Sequence, residues 1–191
     1  MTDRYRIDET QLFDGYGQRK YLLATEARRL LAAAAHADER TRLFCGLLYY
    51  SGCRLSEGLA LTPRLLDIEA MRVVFRTLKR RRLVYRAVPV PAQLMCDLAA
   101  LARASAPDDR LFPWSRQTGW RHIKALMEIA GITGPQATPK GLRHQFGVHA
   151  ICQKIPEGTL QRWMGHAKGS STQIYTFTVG AEERALAKRM W

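Results

Sequence analysis

The stretch RVVFRTLKRRRLVYRAVPVP, Arg72 to Pro91, restricts the fold more than any other part of the chain. Val73, Val74 and Phe75, then Leu83, Val84, Tyr85, Ala87 and Val88, are strand-forming runs, and the basic turn around Arg80 to Arg82 returns one beside the other. The expectation is a small antiparallel β-sheet. The rest of the sequence carries helical spacing, so this sheet is inserted early in a mainly α chain of the α+β class.

Thr25 reads as the cap of a first helix, with Glu26 in its opening turn and Leu30, Leu31 and Ala34 on one face. From Asp38 to Tyr50, Leu43, Leu47 and Tyr50 share a helical stripe, and Ser51-Gly52 ends it. CRLSEGLAL starts a short helix. PAQLMCDLAALARA opens on proline and keeps Leu94, Leu98 and Leu101 together before the loop SAPDDRLFPW. SRQTGWRHIKALMEIAGI is a helix stopped by Gly131, TPKGLRHQFGVHAICQK is another with Leu142, Phe146 and Ala150 inward, and IPEGTLQRWMG is a short one. AEERALAKRM, with Leu186 and Met190 on a stripe, is long enough for a last helix. Residues 1–20, polar and broken by Gly15 and Gly17, are expected to form a loose leader, and residues 21–191 a single domain.

No run of eighteen apolar residues occurs and the first twenty lack an apolar block, which predicts no membrane partner and a cytoplasmic location. Cys45, Cys53, Cys96 and Cys152 are scattered without a CxxC pair, which predicts reduced, buried small hydrophobes and no zinc site. Charge is more telling. Thirty Lys and Arg against seventeen Asp and Glu leave +13, spread through TLKRRRLVYR, SRQTGWRHIK and TPKGLRH, as on a folded surface that grips a polyanion.

In MGHAKGSSTQIYTF, His166 and Tyr175 stand nine residues apart across a Gly/Ser break. On one continuous helix they would face opposite ways, roughly 13 Å apart along the axis. Gly165 can end one helix, and Gly169-Ser170-Ser171 can turn the chain and cap the next, so the two rings can reach one cleft. A phenol is a poor nucleophile unless neighbouring cations favour its phenolate, and phosphoryl transfer needs those same cations on the non-bridging oxygens. Arg54 opens the helix after SGC, with Glu57 one turn on to hold its guanidinium. Arg143 shares a helix face with Lys140.

YYSGCRLSEGLALT, TPKGLRHQFGVHA and MGHAKGSSTQIYT resemble, in order, the three signature blocks of the tyrosine recombinase (phage integrase) catalytic domain, the last being close to the family's GH…TTQIYTH pattern. The resemblance covers about residues 20 to 190 and implies that domain's fold. It implies a site-specific DNA recombinase in which Tyr175 attacks DNA to form a 3′-phosphotyrosine. Arg54 and Arg143 would clamp the phosphate, and His166 would donate to it, without metal, ATP or other cofactor. Spacing alone does not choose among Lys79, Arg80, Arg81 and Arg82 at the hairpin. The family's β-hairpin lysine, which protonates the leaving 5′ oxygen, corresponds best to Lys79.

At Lys140 the family usually has histidine. Lysine can donate to phosphate but does not readily accept the tyrosine proton, so water or the local cationic field would replace a general base. Arg80, Arg81, Arg82, Arg116, Arg121, Lys124 and Lys168 are candidate DNA contacts, Glu57 and His144 supporting residues, and His144 and His149 packing or indirect contacts rather than metal ligands. The resemblance also implies double-stranded DNA as partner, and a protein monomeric when free that forms a dimer on each site and a tetramer in the synapse. The family's separate N-terminal core-binding domain is absent from this reading, which predicts weaker, more salt-sensitive binding. Two other readings share the scaffold: a catalytically silent DNA-binding accessory or regulatory protein, and type IB topoisomerase-like relaxation.

Overall fold

The computed structural model describes residues 12–79, 82–166, 169–175, 188 and 190, with the side chains at 78, 79, 82, 83 and 170 outside that description. Eight helices surround one small sheet in the described part. Asp38 accepts from the Thr41 N–H to start α2 (Glu39–Ser51), and Gly52, left-handed at φ 58°, ends it. A side chain at Gly52 would also run into the Phe146 ring, so both backbone and space require glycine there.

Ser115 caps α5 (Arg116–Ile129) and Thr138 caps α6 (Pro139–Cys152) in the same way, with Pro139 in the first turn. α1 (Ala24–Ala35) starts one residue before the expected Thr25 cap, because the Glu26 carboxylate reaches back to accept the Leu23 N–H at 2.7 Å. The remaining helices are α3 (Leu55–Leu59), α4 (Ala92–Ala102), α7 (Glu157–Met164) and α8 (Ser170–Gln173).

The predicted hairpin is β2 (Arg72–Lys79) against β3 (Arg82–Pro89), paired from Arg72↔Pro89 to Lys79↔Arg82. A two-residue strand, β1 (Leu66–Asp67), adds to the β2 edge. Alternation places Val73 and Phe75 of β2, and Arg86 and Val88 of β3, inward and Tyr85 outward, while Val84, on the inward parity but nearer the hairpin end, is exposed.

α2 lies at the centre, against α1, α3, α4, α5 and α6, and its Leu43, Phe44 and Leu47 are fully buried. Phe44 meets Phe112 at 4.9 Å and Trp114 at 5.6 Å between ring centroids. Tyr50, expected on the same stripe, is exposed and meets Tyr49 edge-on. A second cluster gathers Leu12, Tyr21, Val148, Leu160, Met164 and Tyr175 between α6, α7 and the chain's opening.

Residues 12–20 therefore differ from a loose leader. Leu12 is buried, Phe13 bridges to Arg19, and Arg19 forms a bidentate ion pair with Glu26. Burial of the cysteines holds for Cys45 and Cys53, but Cys96 is exposed and Cys152 is half-buried against the second cluster. Among the described residues no helix is long and apolar enough to cross a membrane, and no three His, Cys, Asp or Glu side chains converge on a metal position. The segment carrying Leu186 lies outside the described residues.

Because Phe44 joins the aromatic group to the α2 core, Phe44→Ala is expected to cost about 3–5 kcal/mol. A urea melt should show this as a lower midpoint with little change in slope.

Candidate active site

Two faces of α6 organise the site. Lys140 and Arg143, three residues apart, look onto a cleft of about 490 Å³ that Arg54, Arg116 and Trp120 also line. His144 and Gly147, also three apart but about 100° further round, face the second core cluster and Tyr175. One helix thus carries cations on one side and the seat of the tyrosine on the other.

Arg54 is the residue before α3. Its Nη1 donates to Glu57 Oε1 at 3.0 Å, and its backbone N–H donates to Glu57 Oε2 at 2.7 Å. With 43% of its side chain exposed, the guanidinium still opens to the cleft. Arg143 is half-buried; Nη1 donates to the Gly52 carbonyl at 2.5 Å and Nη2 to the Met164 carbonyl at 2.7 Å. Burial, and then the neighbouring Arg54 charge, lower its pKa to about 10. Lys140 is exposed at the cleft.

Glu57 is the anion beneath them. Burial alone would raise its pKa, but the Arg86 hydrogen bonds and charge, with the Arg54 N–H and Thr77, bring it down to about 2. Arg86 Nη2 and Nη1 reach its two oxygens at 2.6 and 3.0 Å. Sequence reasoning passed over Arg86 as one basic residue of a basic hairpin. The usable signal was its inward parity with Val88.

Gly165, left-handed at φ 63°, ends α7, and His166 follows with Nδ1 2.9 Å from the Thr172 hydroxyl. Gly169 precedes α8 with a helical backbone and provides no side-chain cap. The break does what its composition suggested: the rings of His166 and Tyr175 stack with centroids 6.2 Å apart and planes 13° apart. Their setting differs from expectation, however. His166 lines another cleft of about 290 Å³, between β3 and α7, with Thr77, Tyr85, Arg86 and Arg162. Burial, then Arg143 and Arg54, lower its pKa to about 3, so it is neutral at pH 7.

Tyr175 is 1% exposed, and its hydroxyl lies 3.1 Å from His144 Nδ1, donating or accepting according to the imidazole tautomer. Its ring fills the space that a side chain at Gly147 would take. Arg143 and Arg54 favour the phenolate, but burial outweighs them and pushes the pKa up to about 12. The expectation that cations hold this phenol ready for attack is therefore not met in this conformation. His144, expected as packing or an indirect contact, is the direct partner of that hydroxyl. It is 7% exposed and lowered to about 3 by burial, then Lys140 and Arg143.

Among the remaining candidates, Arg116 lines the anion cleft, whereas Arg121 is exposed outside its lining. Lys124 is half-buried and donates to the Ala137 carbonyl at 3.3 Å, a bond that steadies the turn before α6 and draws it from solvent. His149 is exposed. Lys79 and Arg82 pair through their backbones at the hairpin end. Their side chains, and Arg80, Arg81 and Lys168 altogether, lie outside the described residues. Trp120, which sequence reasoning did not single out, is 41% exposed at the cleft, an unusual setting for a large indole.

Residues 20–179 match the phage integrase family. The chain is 31% identical over 167 residues to a tyrosine recombinase XerA of Thermococcus onnurineus, covering 82% of this chain and 57% of that protein. It is 34% identical over 176 residues to a tyrosine recombinase XerD of Bifidobacterium longum, covering 81% and 57%. The chain thus spans a little over half the length of these relatives. A crystal structure of XerA recombinase superposes with a TM-score of 0.75 at 27% identity, covering 89% of this chain and 62% of that one. A post-cleavage complex of XerH recombinase on its difH substrate shares the fold with a TM-score of 0.77 at 20% identity, covering 90% and 53%.

His144, buried, and His166, half-buried at its cleft, set an acid limit on stability. Each is neutral when folded down to about pH 3 but protonates near 6.5 when unfolded, so each subtracts stability as pH falls from 6.5 toward 3. For His144 the slope is about 1.4 kcal/mol per pH unit in that window, and solvent screening at the half-buried His166 makes its share smaller. In urea melts between pH 6 and 4.6, His144→Gln should flatten the dependence by about that amount. An unchanged slope would mean that His144 is not held neutral.

Proposed function

Since the chain belongs to the phage integrase family, we propose that it is a site-specific DNA recombinase whose nucleophile is Tyr175. The observation that carries this reading is the convergence on α6: Arg54, Lys140 and Arg143 line one cleft, and Tyr175 packs against the same helix one face away. Two guanidinium groups and an ammonium suit a single phosphodiester, whose negative charge grows in the transition state.

The Tyr175 hydroxyl would give its proton to water as its oxygen attacks phosphorus and expels the 5′-oxygen of the next nucleotide, leaving a 3′-phosphotyrosine and, once that oxygen is protonated, a free 5′-hydroxyl. Rejoining reverses the same step with a different 5′-hydroxyl. The bond energy is retained in the tyrosyl ester, so no ATP or metal enters the balance. Lys79 is the proposed proton donor to the leaving oxygen, and His166 the donor to a non-bridging oxygen. Arg80, Arg81, Arg82, Arg116, Arg121 and Lys168 are proposed DNA contacts, and dimers on each site, pairing into a tetramer, the working assembly.

The conformation described here is a resting one. Its phenol must leave His144 and the apolar seat at Gly147 before it can meet phosphorus, and double-stranded DNA bound across the basic cleft is the proposed trigger. The same burial favours a second reading, a DNA-binding protein that does not cleave.

A nicked duplex carrying the cognate site separates the two. The recombinase reading expects a covalent protein–DNA adduct on denaturing gels, insensitive to EDTA and lost in Tyr175→Phe. Arg54→Ala or Arg143→Ala should slow adduct formation by about 100-fold or more. Binding without any adduct favours the second reading, and relaxation of supercoiled plasmid without strand exchange favours topoisomerase-like action.

A further inference from the structure

We infer that Arg86 is a positioning residue for this reaction: it holds Arg54 through Glu57 and holds the end of α7 that carries His166 through the Trp163 carbonyl. The inference rests on the recombinase reading above and extends it to a residue outside the cleft of Arg54 and Arg143.

The carbonyls at the end of α7 cannot be satisfied within the helix. The Gln161 carbonyl accepts the His166 N–H at 3.1 Å, and the Arg162 carbonyl accepts the Gly165 N–H at 3.1 Å. The next two are taken by guanidinium groups. Arg86 Nε donates to the Trp163 carbonyl at 2.8 Å, and Arg143 Nη2 donates to the Met164 carbonyl at 2.7 Å. Both cations also oppose the negative end of the helix dipole. The chain turns at Gly165, where an added Cβ would lie 3.1 Å from the Arg86 side chain, and His166 comes next.

The other side of the Arg86 guanidinium grips Glu57 with two bonds and the Thr77 hydroxyl at 2.7 Å. Glu57 in turn takes both the backbone N–H and Nη1 of Arg54. The plane of the fork lies over the Phe75 ring, 5.0 Å from its centroid. Arg86 therefore ties three elements together at one buried point: α3, whose Glu57 holds the Arg54 that precedes it, the hairpin, and α7. Arginine is needed for this geometry. Nε–H points one way and the Nη pair another in a rigid plane, whereas a lysine ammonium is a single point that cannot serve the Glu57 carboxylate and the Trp163 carbonyl in the same arrangement.

The test compares wild type, Arg86→Lys and the charge-neutral double variant Glu57→Gln/Arg86→Met, which avoids stranding a buried carboxylate. Single-turnover adduct formation is followed at saturating nicked duplex. A loss of about 100-fold in rate is expected in both variants, the size that a misplacement near 1 Å produces, with DNA affinity unchanged and the double variant melting close to wild type. A duplex with a neutral methylphosphonate at the scissile position should recover most of this loss, because a misaligned Arg54 matters less when no phosphate charge is to be balanced. A purely structural defect would slow both duplexes alike, and that outcome, or a wild-type rate in Arg86→Lys, overturns the inference.

The hold on α7 has its own readout without DNA. The His166 ring proton, followed by NMR, should titrate at higher pH in Arg86→Lys than in wild type, and an unmoved titration overturns the inference. Absence of any adduct with wild type counts against the recombinase reading itself; the histidine titration then still decides whether Arg86 holds this end of α7.

Discussion

A carboxylate taken out of water has to be surrounded by donors, and in this chain that requirement falls on Glu57. Its two oxygens take five N–H or O–H groups from three residues: Arg54 from its backbone and its side chain, Thr77 from β2, and Arg86 from β3 by two nitrogens. Removing one cationic partner would leave an uncompensated charge, whereas the intact set fixes α3 against the hairpin. The same Arg86 reaches the end of α7, so the elements that carry Arg54, His166 and the hairpin basic residues are referred to a single buried anion. Much of the site's geometry follows from satisfying that one group.

The second organising fact is the division of labour on α6. Residues three apart share a face and adjacent residues do not, so Arg143 and His144 serve different surroundings although they are neighbours in sequence. Arg143 looks to the cleft and to the carbonyls of Gly52 and Met164. His144 looks to the second core cluster, where the tyrosine hydroxyl is its partner. The helix is thus a partition between a wet, cationic side and an apolar one, and Tyr175 lies on the apolar side.

How much of this could be read from the residues depends on the range of the interaction. Helix starts at Asp38, Ser115 and Thr138, and stops at Gly52 and Gly165, are local chemistry and were legible, as were the hairpin and the Arg54–Glu57 contact one turn apart. The two-residue β1 is too short to carry a pattern, and the packing of Leu12 depends on α6 and α7, far along the chain. The burial of Tyr175 was not legible either. GSSTQ before it is polar, and the space for the ring is made by Gly147, with no side chain, some thirty residues earlier. Arg86 was half legible: its parity in β3 points it inward, but its anion partner is on another element.

The glycine at 147 has a consequence for energetics rather than architecture. The tyrosine's shelter lies at Gly147, on the same helix that offers Arg143 from the neighbouring face, so on the proposed reading sheltered and released phenol are alternative positions against one rigid body. Any ligand that prefers the released arrangement must bind more tightly to a protein whose shelter has been made shallower, and by the same factor must itself promote release. On that reading, the part of cleft affinity that distinguishes the two arrangements and the readiness of the phenol are two measures of one equilibrium.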